Sequence, residues 1–420
     1  MTTPASANPT KTALLGFCIP AFEAMEQAGR PFVGVVPPGF DTYMEEHGLE
    51  YVVWDFDRFN DQSNELAENL AKMGVGLAVP LFEECVEWAG ALNGKFRNDP
   101  RLFTRYLLFR DKAMMKRRAQ MNGVRVGVFE EAEDKTDVDR FFRRVNKALA
   151  KIEGDAASPV HLKPLSAAGC KGHRMIRGEE DVATLTDEDF PCLLESHLDG
   201  QEFSCEVFIH NRKIRFLNIT EYVHLGYSNF VPCGPTLEGR RSAIEKAVRD
   251  LIDAFDIEYG MIHPEFFITA DDKISFGEVA ARVPGGHIFE LIEKAYGFNP
   301  FTAFALCADP ATTDEELDAF FPNEREHDAY AGCLMVYPKE KVVTRVNLPD
   351  GLLEEDYYER HNLYVPINPK VSERVAFGDH YGTVYFRGDD PDEMRRLLDH
   401  YEHQSFYASD DAESLQEQSA

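Results

Sequence analysis

Positive charge is scarce in this chain: 44 lysines and arginines face 73 aspartates and glutamates in 420 residues, a formal net charge of −29. A surface of that sign repels nucleic-acid phosphates and anionic lipid headgroups, so no nucleic acid and no membrane is expected as a partner. Eight cysteines, at 18, 85, 170, 192, 205, 233, 307 and 333, include no C-x-x-C pair. That spacing argues against zinc or a disulfide framework and for reduced thiols in the cytoplasm. No run of eighteen apolar residues and no secretory leader is readable, which points the same way. No G-x-x-x-x-G-K-[ST] occurs, no H-R-D stands with a D-F-G, and no G-x-G-x-x-G follows the first expected strand. P-loop NTPases, protein kinases and dinucleotide-binding folds are thereby set aside. With 44% hydrophobic residues over this length, the chain can bury the cores of two or three domains.

What is present begins with a hairpin. Met261 to Phe267 and Phe276 to Arg282 flank Ala270-Asp271-Asp272-Lys273, and a two-residue turn at Asp271-Asp272 places Glu265 directly opposite Glu278. The same register expects Phe267 opposite Phe276. Facing carboxylates repel, and a divalent cation whose other ligands are water and substrate phosphates relieves that repulsion. His263 shares the strand face of Glu265 and, with His287, is a candidate general base.

Upstream, Val160 to Lys163 reads as a strand stopped by Pro164. Ser166-Ala167-Ala168-Gly169-Cys170-Lys171-Gly172 then forms a small-residue loop able to bring backbone N–H groups to phosphate oxygens, before a strand near Arg174 to Ile176. Cys192 to Leu194 is read as a buried strand, Asp199-Gly200 as a turn, and Phe203 to Ile209 as an antiparallel return. The extended backbone between them suits an adenine edge, and Glu202 suits ribose hydroxyls. Asp111-Lys112 opens a helix. After Gly285-Gly286, apolar residues at 288, 291, 292 and 295 mark a helix ended by Gly297, whose N-terminus could meet an anion.

Taken in this order, Lys112, Lys163, the loop, Glu195 to Glu202, Glu265, Glu278 and Arg282 resemble the ATP-grasp superfamily of carboxylate–amine ligases, across about residues 10 to 400. The resemblance implies an α/β and α+β fold in which ATP lies between two lobes. It also implies roles. Lys112 and Lys163 would contact ATP phosphates under the loop carrying Ser166, Gly169 and Gly172; Glu195 and the backbone near Leu198 would border adenine; Glu202 would accept ribose. Glu265 and Glu278 would hold Mg²⁺, with Mn²⁺ as a substitute, Arg282 would steady the transferring phosphoryl group, and Gly285, Gly286 and His287 would border substrate. The family commonly has Asn two residues after the second glutamate, where this chain has Ala280, a substitution similar to one branch of amino-acid ligases.

The N-terminal third reads as an α/β domain, with parallel strands at Ala13 to Phe17, Phe32 to Val36, Tyr51 to Phe56 and Gly74 to Pro80. Its strand-end loops, Phe17 to Pro20 and Pro80 to Glu83, are candidate substrate contacts. Strands at Gly332 to Tyr337 and Gly382 to Phe386, and a helix after Pro391, complete the chain. The expected organisation is an N-terminal pre-ATP-grasp domain over 1–110, an ATP-grasp domain over 111–310 with lobes near 111–200 and 201–310, and a C-terminal closing domain over 311–420. The first eleven residues and 408–420 are expected to be disordered tails. The function expected is ADP-forming ligation of a small-molecule carboxylate, an amino acid's above all, to an amine. Homodimerisation is left open, and a phosphotransferase, an acyl-thioester ligase and a non-catalytic nucleotide-binding regulator are the alternatives.

Overall fold

The computed structural model describes residues 10–57, 59–149, 157–167, 169–375 and 377–409. Short apolar runs with helices between them build the first layer. Lys11–Leu15 (β1), Phe32–Val36 (β2), Tyr51–Val53 (β3) and Val75–Pro80 (β4) pair in parallel in the order β3-β2-β1-β4. Both faces are covered, which is why the runs are continuously apolar. Ala13, Leu15, Val33 and Val35 pack with Leu66, Leu70 and Trp88, while Leu14, Val36, Leu77 and Val79 pack with Phe22 and Met25.

Two antiparallel sheets follow. Phe129–Ala132 (β5), Val160–Pro164 (β6), Arg174–Ile176 (β7) and Cys192–Ser196 (β8) run in the order β5-β8-β6-β7. The helix Lys135–Leu149 closes them through Val138, Phe141 and Val145. The larger sheet contains Gly200–His210 (β9), Lys213–His224 (β10), Ser228–Val231 (β11), Tyr259–Thr269 (β12), Ile274–Ala280 (β13) and Tyr330–Met335 (β14). Arg345–Val346 (β15) stands apart, while Tyr358–Leu363 (β16) and Gly382–Gly388 (β17) join that sheet; Tyr407–Ala408 (β18) pairs with β15. The order is β13-β12-β9-β10-β11-β14-β17-β16. The helix Arg241–Phe255 seals one face through Ile244, Val248 and Leu251. Ile288–Tyr296 and Pro300–Ala308 seal the other through Leu291, Ile292 and Phe304. Among the described residues no helix is long and apolar enough to cross a membrane.

Three sequence expectations change. Glu265 does pair with Glu278, but by compensation: near the turn Phe266, not Phe267, faces Phe276, and Phe267 faces Ser275. The turn is longer than two residues, with Asp272 N donating to Thr269 O and Thr269 N to Lys273 O. Gly277 then supplies the extra residue of a bulge that restores the expected register. Second, β9 is not the return strand of β8. β8 pairs with β5 and β6, β9 with β10 and β12, and the link over 197–199 passes between two sheets. Third, Lys11 lies in β1 and Ala408 in β18. Thr10 and Ser409 are described as well, while residues 1–9 and 410–420 of the two expected tails, and Ala168 of the loop, lie outside the described residues.

The start of β9 is sterically exact. A Cβ on Gly200 would lie 2.0 Å from the carbonyl oxygen of Ile268 on β12. Gly200→Ala is therefore expected to push the strands apart there and lower the unfolding free energy by about 1–3 kcal/mol. Urea denaturation checks this; an unchanged midpoint would mean that the two strands do not meet at Gly200.

Candidate active site

The larger sheet carries a polar stripe where an interior should be apolar. Glu202, Ser204 and Glu206 alternate along β9; Asn218, Thr220 and Tyr222 along β10; His263 and Glu265 along β12; Glu278 lies on β13. Register puts Glu206 opposite Asn218, Ser204 opposite Thr220 and Glu265, and Glu265 opposite Glu278, so the period of two places them on one face. Glu265 and Glu278 keep 21% and 33% of their side-chain surface exposed, enough to meet a ligand.

Cations come to this face from elsewhere. Asp111 caps the helix Lys112–Met121 by accepting from Met114 N at 2.8 Å. Lys112, at its first position, places Nζ 2.8 Å from Glu278 Oε2. Burial would raise the Glu278 carboxyl, but Lys112 and Lys163 outweigh it and hold it at about 2. Lys163 Nζ is 2.8 Å from one oxygen of Glu195, and Lys116 Nζ, one helical turn after Lys112, is 2.5 Å from the other. Burial opposes charge on all three, yet pairing leaves Lys163 raised and Glu195 lowered. Lys116 stays below its ordinary value, because desolvation exceeds the pull of Glu195. Two lysines on one carboxylate leave a positive surplus suited to phosphate oxygens. The side chain of Glu195 is thus taken by lysines, and what remains for an adenine edge near Leu198 is backbone; the amides of Ser196 and His197 already bond Val128 O and Pro159 O.

Acidic crowding is visible in Glu202, whose carboxyl is pushed up to about 8 by burial and then by Glu265. Such crowding fits a hard divalent cation between Glu265 and Glu278. Among the described residues no three His, Cys, Asp or Glu side chains enclose a metal by themselves, so water and phosphate would supply the other ligands. Deeper in the sheet, Glu206 is fully buried and accepts from Ser204 Oγ, Asn218 Nδ2, Thr220 Oγ1 and His263 Nδ1 at 2.6–3.1 Å. His263 Nε2 lies 3.5 Å from Glu265 Oε1. Burial lowers the imidazole, but these hydrogen bonds and the two carboxylate charges raise it to about 9. Both ring nitrogens are directed at carboxylates, an arrangement that favours the charged ring over a general base.

Lys112 N donates to Leu165 O at 2.9 Å, and Gly169 O accepts from Phe377 N at 3.1 Å, tying the small-residue loop to two other segments. Ser166, Gly169, Cys170 and Lys171 are exposed. Gly172 is tightly placed, since a Cβ there would lie 2.8 Å from Pro164 Cγ. Arg282 donates from Nε to Glu83 at 2.9 Å and from Nη1 to Val283 O at 2.9 Å. Gly286 O accepts from Asn229 Nδ2, leaving 2.6 Å between that nitrogen and a Cβ built on Gly286. His287 caps the helix Ile288–Tyr296 in the left-handed region, its Nδ1 3.0 Å from Tyr385 OH. Burial and then Arg360 lower its pKa. Sequence reasoning missed Lys116, Glu206, Tyr222 and Arg110; the i, i+4 spacing from Lys112 could have flagged the first, and a lone glutamate in the apolar run Phe203 to Ile209 the second.

No family model matches the chain. No curated protein matches it either. Solved structures do. An L-amino acid ligase from Bacillus licheniformis superposes with a TM-score of 0.71 at 16% identity, over 94% of this chain and 98% of that one. Phosphoribosylglycinamide synthetase from Anaerococcus prevotii gives 0.66 at 15% identity, over 93% and 97%. N5-carboxyaminoimidazole synthetase from Staphylococcus aureus, complexed with ADP, gives 0.65 at 17% identity, over 93% and 96%. At these identities the likeness establishes the fold, which is the ATP-grasp fold.

The proton held by Glu202 makes stability depend on pH. Its pKa of about 8 in the folded state exceeds the ordinary carboxyl value of 4.5, so the folded state binds more protons between them and stability falls as pH rises through that window. Glu202→Gln is expected to stabilise the protein at pH 8.5 relative to pH 5.5 by on the order of 2 kcal/mol. Melting curves of both proteins at the two values check this; an equal effect at both would mean that Glu202 ionises normally.

Proposed function

We propose that the protein is an ATP-dependent, ADP-forming ligase that phosphorylates a small-molecule carboxylate, an amino acid's in the favoured reading, and joins it to an amine. The observation that carries the proposal is the pairing of Glu265 with Glu278 on a buried polar face reached by Lys112, Lys116 and Lys163. The ATP-grasp fold supports it, as do an L-amino acid ligase and an ADP complex among the structural neighbours.

A carboxylate cannot expel oxide, so it must first carry a better leaving group. One of its oxygens attacks the γ-phosphorus of ATP; the bond from that phosphorus to the β,γ-bridging oxygen breaks, and ADP leaves with the electron pair. The amine nitrogen then attacks the acyl carbon, phosphate departs, and the nitrogen loses a proton. Lys112 and Lys163 would neutralise phosphate oxygens, Arg282 would offer a planar fork to the transferring group, and the loop carrying Ser166, Gly169 and Gly172 would cover the phosphates. Mg²⁺ held by Glu265 and Glu278 would supply further neutralisation of the phosphates. His287, with a lowered pKa beside Tyr385, is the remaining candidate to take the amine proton.

ADP and phosphate are expected only when a carboxylate and an amine are both present, measured by coupled assay across pairs of amino acids with mass spectrometry of the product. AMP and pyrophosphate would exclude the acyl-phosphate route, and ADP formed with no amine would favour a phosphotransferase. Glu278→Gln keeps the shape and removes the charge that faces the cation, so turnover should drop at least about a hundredfold while the circular dichroism spectrum stays native. Full activity in that variant would refute the metal assignment.

A further inference from the structure

Glu83 and Arg110 have no part in the chemistry above, yet Glu83 binds Arg282 directly and Arg110 binds the other side of Glu83. Glu83 follows β4 at the carboxyl edge of the parallel sheet, Arg110 precedes the capped helix of Lys112, and Arg282 follows β13. Arg110 Nη1 is 2.7 Å from one Glu83 oxygen and Arg282 Nε is 2.9 Å from the other. The three side chains are only 15–19% exposed. Burial pushes the Glu83 carboxyl up, but Arg282 and Arg110 more than offset it and hold it below its usual range.

Two guanidinium groups therefore share one carboxylate, and one positive charge is left over in a largely dehydrated place. The Arg110 Nε–H is buried and has no hydrogen-bond partner among the described residues. An unmet buried donor costs about 1–3 kcal/mol and calls for an explanation. A single monoanion accounts for both the surplus charge and the unmet donor, and guanidinium forks match the planar oxygens of a carboxylate.

We propose that Arg110 and Arg282, spaced by Glu83, form a binding site for the anionic end of the substrate that is to be phosphorylated, a carboxylate. The assignment deepens the ligase reading and rests on it. Glu83 acts as a positioning residue: it holds the two forks apart and cancels one of their charges, so a monoanion completes the site. The N-terminal sheet thereby enters substrate recognition through the loop after β4.

The test uses orthophosphate as an oxyanion probe, titrated into the full-length wild type, Arg110→Met and Arg110→Lys, with and without MgADP, and followed by calorimetry and thermal shift. The wild type is expected to bind phosphate, with affinity weakened on the order of tenfold or more in Arg110→Met. Arg110→Lys should fall between, since it keeps the charge and loses the fork. MgADP affinity should stay within about twofold in all three. Equal phosphate affinity in wild type and Arg110→Met overturns the proposal, as does a wild type that binds no phosphate. Loss of MgADP binding together with phosphate binding in Arg110→Met would make Arg110 a strut and overturn it too. A wild type that binds phosphate through Arg110 but ignores MgADP would sink the ligase reading while the anion site stands.

Discussion

Repulsion between carboxylates gathered on one buried face is the constraint the site answers. Glu202, Glu206, Glu265 and Glu278 lie on adjoining strands, and Glu195 approaches from the second antiparallel sheet. Two like charges about 4 Å apart cost about 4 kcal/mol at an effective dielectric constant of 20. Lys112, Lys116, Lys163 and His263 set four cations against these five carboxylates, and Glu202 keeps a proton near neutrality. The face is close to balanced, four cations standing against four charged carboxylates and a fifth that keeps its proton.

That balance also governs how distant parts of the chain are joined. Lys112 and Lys116 lie one turn apart on a helix whose first amide is bonded to Leu165 at the start of the small-residue loop. One short helix thus links the paired glutamates, the lysines that meet Glu278 and Glu195, and the loop. Asp111 fixes the start of that helix, and Arg110 immediately before it reaches Glu83 and, through it, Arg282. The parallel sheet, the larger antiparallel sheet and the loop therefore converge on three consecutive residues, 110 to 112, and the smaller antiparallel sheet joins one helical turn later, where Lys116 meets Glu195.

Much of this was legible in sequence. Continuous apolar runs located the parallel strands because burial on both faces leaves no other pattern. The helix after Gly286 follows its expected apolar face, and the glutamates of the hairpin pair as expected. The failures have physical causes. The bulge at Gly277 is invisible to a pairing rule that assumes equal steps on both strands, and it cancelled an error in the turn. β8 and β9 looked like one hairpin because local pattern says nothing about which sheet a strand joins. Sequence could flag Glu206 only as a lone glutamate in an apolar run; its partners, Ser204, Asn218, Thr220 and His263, are brought to it by strand register.

Ala280 shows how far register can explain a departure from the resembling family, which commonly has Asn there. His263 lies directly opposite Ala280 on β12 and β13, and directly opposed side chains on one face compete for the same space, their Cβ atoms about 5 Å apart. A methyl at 280 leaves that space to the imidazole, which reaches Glu206 with one nitrogen and Glu265 with the other. The small residue and the histidine are thus cross-strand partners, and the imidazole beside the methyl bridges Glu206 and Glu265.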